Sequence, residues 1–232
     1  MIEDQLFGSR RGYFSSPDSC HNHKDHPWFR ELGLQYVSIG LIPEDVSARY
    51  ELHEWRHACA ILKHDFPDEW KDLIEVLREF RLLRSEIVAP GGGKSRVSSR
   101  FDSALYARGW LEKPFDTSVL VDGAKLNSPT HKVDCFKGGI ALEVEWNNKD
   151  PFFDRDLNNF RLLFELRAVH VGVIVTRSDE LQDIFDSVGK GASYGQATTH
   201  WSKVLPKIEG GGGGGCPILL IGISKRLYEP DA

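Results

Sequence analysis

Two uninterrupted apolar runs set the pattern of the chain. They cover 171–176 (VGVIVT) and 217–223 (PILLIGI). Both have strand length and no polar alternation, as expected of strands covered on both faces of a sheet. Before the first run, Lys132-Val133-Asp134-Cys135-Phe136, the turn signal Lys137-Gly138-Gly139 and the stretch 140–146 (IALEVEW) predict a hairpin. Helical periodicity separates these pieces. Leu157, Phe160, Phe164 and Ala168 mark a helix from Asp154 to about Val169. Ser178 precedes a short helix over 179–185 as an N-cap, and a further helix is predicted over 201–208. Strand, helix, strand after the hairpin implies a right-handed parallel crossover.

The first half reads as more helical. Residues 35–41 are a short strand candidate. Pro43-Glu44-Asp45 opens a helix whose apolar positions Leu52, Trp55, Cys59 and Leu62 fall at helical spacing. Pro67-Asp68-Glu69 opens a second, with Trp70, Leu73, Ile74, Leu77 and Phe80 as its stripe, and the two form a helical hairpin. A third runs from about Ser95 to Ala107, with Val97, Phe101, Ala104 and Leu105 inward. A strand is predicted at 118–121, and the six consecutive glycines 210–215 are read as flexible. The fold expected is α/β: a mixed central sheet flanked by helices. The chain forms one domain over 1–232, with 1–89 as a helical annex and 90–232 as the core.

Composition changes this picture little. Of the 232 residues, 41% are hydrophobic and 27% charged, and the longest apolar runs fall far short of a membrane span. The first residues lack the apolar core of a signal peptide. Four cysteines, at 20, 59, 135 and 216, form no CxxC pair, which suits a reducing cytoplasm better than a disulfide framework. A net charge of −5 does not announce a nucleic-acid partner, although a basic cleft can coexist with an acidic surface. Cys20, His21, His23 and His26 are metal-ligand types at a spacing that matches no standard zinc pattern, and the ordinary reading is a solvated arm.

The candidate chemistry lies in the hairpin. Alternation puts Glu143 and Glu145 on one strand face, and the turn brings Asp134 to the same edge. Three converging carboxylates repel one another unless a hard divalent cation sits among them. Asp134 and Glu143, with a backbone carbonyl near Val144, are the candidate Mg²⁺ ligands, and Glu145 is placed to orient or deprotonate a water. The ordinary alternative, exposed acids without metal, is open on spacing alone. Gly91-Gly92-Gly93-Lys94-Ser95 fails the Walker pattern, but at a helix N-terminus it offers Lys94 and Arg96 to a phosphate.

Several long runs resemble the BglII/BstYI group of type II restriction endonucleases, within the PD-(D/E)xK nuclease superfamily. They are 91–110, 131–163 with Asp134…Glu143-Val144-Glu145, 171–182, 194–208 and 214–223. The resemblance implies a restriction-endonuclease-like core and a homodimer. It implies Mg²⁺-dependent hydrolysis of both strands of a palindromic double-stranded DNA site centred on GATC. Four-base 5′ overhangs and 5′-phosphate ends follow, as does a cognate methyltransferase acting on the same site. Asp134 and Glu143 take the ligand positions, and Glu145 stands where the superfamily usually has lysine. Asp102 and Ser99 are candidate supports from the neighbouring helix. The Gly-rich loop supplies base-reading candidates Ser193, Tyr194, Gln196, Thr198, Thr199 and His200, while Lys149, Lys190 and Lys203 are candidate phosphate contacts. Two other readings stay open: a non-cleaving DNA-binding protein on a degenerate nuclease fold, and a nucleotide-binding regulator using the glycine-rich loop.

Overall fold

The computed structural model describes residues 37–90 and 93–231. All of them lie in one compact unit, Tyr36–Ala232. Cys20, His21, His23 and His26 lie outside the described residues.

The centre is a six-stranded mixed sheet. Its strands, in spatial order, are β1 (Tyr50–Trp55), β9 (Ile218–Ile223), β8 (Val171–Arg177), β7 (Ile140–Glu145), β6 (Val133–Lys137) and β3 (Leu111–Lys113). The two apolar runs form the parallel middle: β7 pairs β8, and β8 pairs β9, in parallel. Every residue of β7, β8 and β9 is buried, as the apolar runs of β8 and β9 require, and in β7 that burial includes Glu143 and Glu145. The outer pairs, β1 with β9, β7 with β6 and β6 with β3, are antiparallel.

Helices cover both faces. On one lie α2 (Ala58–Asp65), α3 (Pro67–Glu79) and α5 (Arg96–Tyr106), whose Leu62, Leu77 and Phe101 pack with Leu142, Val173 and Ile221. On the other lie α6 (Pro151–Glu165) and α8 (Trp201–Glu209), whose Phe160 and Val204 pack with Ala141, Ile174 and Leu220. Ser95 caps α5 by accepting from the Ser98 N–H at 2.9 Å. Gly172 lets the Phe160 ring lie against β8: an added Cβ would come within 2.4 Å of its Cδ2.

Some expectations are corrected. Residues 37–41 form a 3-10 turn and not a strand. The single helix expected from residue 44 to beyond 62 is α1 (Glu44–Ser47), then strand β1, then α2. Arg56 and His57 take left-handed backbone angles, φ 56° and 59°, which separate β1 from α2. The described part of 1–89 is therefore not purely helical: β1 closes one edge of the central sheet. The strand expected at 118–121 is β4 (Asp116–Val121), paired with β5 (Ala124–Pro129) in a separate ribbon. Ser178 makes no side-chain cap. The glycine run is a set of tight turns laid on α6. Added Cβ atoms at Gly213, Gly214 and Gly215 would meet Ile218 at 2.3 Å, Arg161 at 2.6 Å and Phe164 at 3.1 Å. Absence of side chains here serves close packing. Two-residue strands β2 (Leu82–Leu83) and β10 (Tyr228–Glu229) pair apart from the main sheet, and α4 (Arg84–Val88) and α7 (Gln182–Ser187) complete the framework.

Candidate active site

β6 and β7 pair from Lys137–Ile140 to Cys135–Leu142, and the ladder then stops. Side chains replace the missing backbone partners. The Asp134 N–H donates to Glu143 Oε2 at 3.3 Å, and the Val144 N–H donates to Asp134 Oδ2 at 3.4 Å. Two of the expected acids are thus fixed by the place where two strands part. The Tyr106 hydroxyl on α5 donates to the Asp134 carbonyl at 2.9 Å.

Glu143 is fully buried, and its Oε1 has no hydrogen-bond partner. Burial, then the charges of Asp156 and Asp134, push its carboxyl well above the usual carboxylate range. Glu145 is 2% exposed. Its oxygens accept from Asn148 Nδ2 at 2.7 Å and Arg155 Nη2 at 3.1 Å. Burial still raises its pKa despite those donors. Asp134 is the accessible member, with 23% of its side chain exposed.

Sequence reasoning missed Asp156. Asp154-Arg155-Asp156 would read as a helix cap, but all three lie inside α6, whose N-cap position is Asp150, and Asp154 is exposed and paired with Lys207 at 2.7 Å. Asp156 is fully buried, its Oδ1 accepts from Arg155 Nε at 2.9 Å, and its Oδ2 has no partner. Burial, then the charge of Glu145, raises its pKa well above normal. His131 was missed as well. One ligand atom each from His131, Glu143 and Asp156 lie within 4.8 Å of one another. Burial, then Arg155, lowers the His131 pKa, which favours the neutral ring. A helical spacing signal, Arg155 and Asp156 beside the apolar Leu157, carries no hint that α6 returns beneath β7.

Glu143, buried with a donor-free Oε1, and Asp134 beside it form an oxygen-rich pair that fits a hard divalent cation. Lys94 lies at the edge of the pair. Its ammonium pairs with buried Asp102 and lies 3.5 Å from Asp134 Oδ1. Burial opposes its charge, but the Asp102 hydrogen bond and Asp134 outweigh that and raise its pKa. Burial raises the Asp102 pKa in turn. Ser99, the other candidate support, is exposed.

A cleft of about 770 Å³ opens over this edge. Asp134, Val144 and Glu145 line it together with Lys94, Arg96, Lys190, Ser193 and Tyr194. The other binding candidates lie elsewhere. Lys149 and Gln196 are exposed beyond the lining, and Lys203 faces Asp150 at 3.8 Å. Thr199 is fully buried: its hydroxyl donates to the Glu145 carbonyl at 3.3 Å and accepts from the Asn148 N–H at 3.1 Å. His200 is 4% exposed, with Nδ1 2.7 Å from the Thr198 carbonyl. The Thr198 hydroxyl lies between the Gly195 carbonyl and Arg177. Tyr194 is buried and stacked on Phe185 at 4.0 Å. In this arrangement Thr199 and His200 stay inside the fold and do not present side chains to a groove.

The chain matches the model of the family described as Restriction endonuclease BglII/BglIII over residues 50–223, well over half its length. No curated protein matches it.

Proposed function

The chain belongs to the BglII/BglIII restriction endonuclease family, type II enzymes that bind double-stranded DNA and cleave it site-specifically. On that premise we propose that it acts as a homodimer with Mg²⁺ and cuts both strands of a short palindrome centred on GATC. It leaves four-base 5′ overhangs with 5′-phosphates, in the cytoplasm, beside a methyltransferase that modifies the same site. The observation that supports the catalytic part is the parting of β6 and β7, which sets Asp134 in the wall of a cleft also lined by Lys94, Arg96 and Lys190, with Glu143 buried beside it.

In this reading Asp134, Glu143 and the Val144 carbonyl hold the cation. Bound there, Mg²⁺ neutralises charge on the phosphodiester and lowers the pKa of a coordinated water. Glu145 acts as a fixed acceptor at the cleft wall, because Asn148 and Arg155 already occupy its two oxygens. It stands in the strand position usual for lysine, and Lys94 supplies the ammonium from the next wall, 3.5 Å from Asp134. Arg96 and Lys190 meet backbone phosphates. Lys149, Gln196 and Lys203 reach DNA only beyond the cleft. Ser193, exposed at the cleft, is the leading base contact.

Incubation of purified chain with phage-sized DNA and Mg²⁺, followed by sequencing of the ends, tests site, overhang and end chemistry together. Uniform ends are expected, lost in EDTA and in Asp134→Ala. Uncut DNA with tight binding to one duplex would transfer the assignment to a non-cleaving binder.

A further inference from the structure

Of the cluster His131, Glu143 and Asp156, only Glu143 serves the cation position assigned to Asp134. Among the described residues, the cluster is the group whose metal-binding atoms all come within 4.8 Å of one another, and Asp134 is not part of it. Glu143 faces both ways. One oxygen, Oε2, accepts from the Asp134 N–H, and the other, Oε1, has no partner. Asp156 is divided in the same manner: Arg155 occupies Oδ1, and Oδ2 has no partner. Both side chains are fully buried, so neither free oxygen has bulk water as an alternative partner.

The local charge points the same way. Glu143, Glu145 and Asp156 are buried together, and Asp134 adjoins them. Arg155 pairs with Glu145 and Asp156, and Lys94 pairs with Asp102 as well as Asp134. Four carboxylates, or five with Asp102, therefore face two cations. The surroundings resemble an ordered outer shell. Arg155 fixes the orientation of Asp156, and Asn159 Nδ2 donates to the His131 carbonyl at 3.1 Å, anchoring that segment.

We infer that His131, Glu143 and Asp156 form a second divalent-cation site, sharing Glu143 with the position at Asp134 and selecting a first-row transition ion over Mg²⁺. The selection follows from the donor set, since an imidazole beside two carboxylates suits the first-row ions, increasingly so from Mn²⁺ to its heavier neighbours, while magnesium favours oxygen alone. The inference rests on the nuclease reading only in sharing Glu143.

The test is Mn²⁺ binding to the full chain without DNA, by calorimetry and electron paramagnetic resonance. Two ions per chain are expected. His131→Gln and Asp156→Asn should each leave one tight ion, with affinity at the second site lowered about ten-fold or more. Asp134→Asn should also leave one, and its spin-echo spectrum should carry nitrogen coupling that disappears on adding His131→Gln. Wild-type stoichiometry and affinity in both His131→Gln and Asp156→Asn would overturn the inference, as would a single ion removed by Asp134→Asn alone. The two histidine and aspartate variants guard against one failing to fold. Loss of DNA cleavage with both ions still bound would count against the nuclease reading and leave this site standing.

Discussion

Glu143→Gln should stabilise the metal-free protein while abolishing cleavage. The side chain keeps its shape, and the new amide oxygen can still accept from the Asp134 N–H. The new amide nitrogen takes the place of an oxygen that has no donor. What disappears is a carboxylate whose neighbour in the cluster, Asp156, lies within 4.8 Å. Two unit charges at that distance repel by about 3 kcal/mol at an effective dielectric of about 20. Arg155 offsets part of this, and a net gain on the order of 2 kcal/mol remains. For a chain of this size that is a rise in Tm of roughly 4–8 °C.

The assay is thermal unfolding at pH 8 in EDTA, followed by circular dichroism. The sign can be checked by pH. Glu143 is raised above its usual 4.5 in the fold, so the folded state holds the proton more tightly than the unfolded chain. The wild type therefore loses stability as pH climbs from about 4.5 toward the raised value, and Glu143→Gln does not. Its advantage should shrink near pH 4, where both states are protonated. Adding Mn²⁺ should lift the wild type and close the gap from the other side. A Glu143→Gln protein that melts at or below the wild type in EDTA at pH 8 would refute the argument, because the buried carboxylate would then be satisfied as it stands.

Lys94→Ala should lower the cleavage rate by about a hundred-fold while changing DNA affinity, measured in Ca²⁺, far less. An unchanged rate would remove Lys94 from the chemistry. Gly172→Ala should cost about 1–3 kcal/mol, read as a fall in the urea midpoint, because its Cβ would press into the buried Phe160 ring. For the edge strand β1, burial depresses the His53 pKa to about 4, so the unfolded chain takes up this proton first on acidification. Stability should therefore fall as pH drops from about 6.5 to 4, by at most about 3 kcal/mol, and His53→Gln should flatten that slope between the two values.

The middle of the fold was legible because its strands are buried on both faces. Residues 171–175 and 217–223 carry that burial as apolar runs of strand length, rich in β-branched residues. Helices α3, α5 and α6 announced themselves through proline, acids or serine at their starts. The edge strand β1 was not legible: Leu52 and Trp55 sit three apart, like helix positions, and only pairing with β9 makes their segment a strand. The glycine run misled for a related reason, since its small residues answer to Arg161, Phe164 and Ile218, which are remote or downstream in sequence. In the site, the Asp134–Glu143 spacing was readable because one hairpin carries both. Asp156 joins them only after α6 folds back beneath the sheet, and no local pattern encodes that return.

The segment between β8 and α8 is tied to the end of β7 in a way that its composition hid. A loop rich in glycine, serine and threonine suggests adaptable contacts, yet much of it is anchored. Arg177, 2% exposed, donates to the Tyr194 carbonyl at 2.7 Å and to the Thr198 hydroxyl at 3.1 Å. Thr198 bridges to Lys149, and Thr199 joins Asn148 to the Glu145 carbonyl. Asn148 in turn holds the Glu145 carboxylate. A chain of hydrogen bonds thus runs from the loop that bears Ser193 to the acid at the end of β7. The two ends cannot shift independently without leaving buried donors or acceptors unpaired, which costs roughly 1–3 kcal/mol each. Thr199 is buried because it holds the loop in register with the end of β7, and His200 is buried beside it, while Ser193 and Gln196 stay exposed. On this geometry, a displacement of the loop and a reorientation of Glu145 are coupled through the same hydrogen bonds.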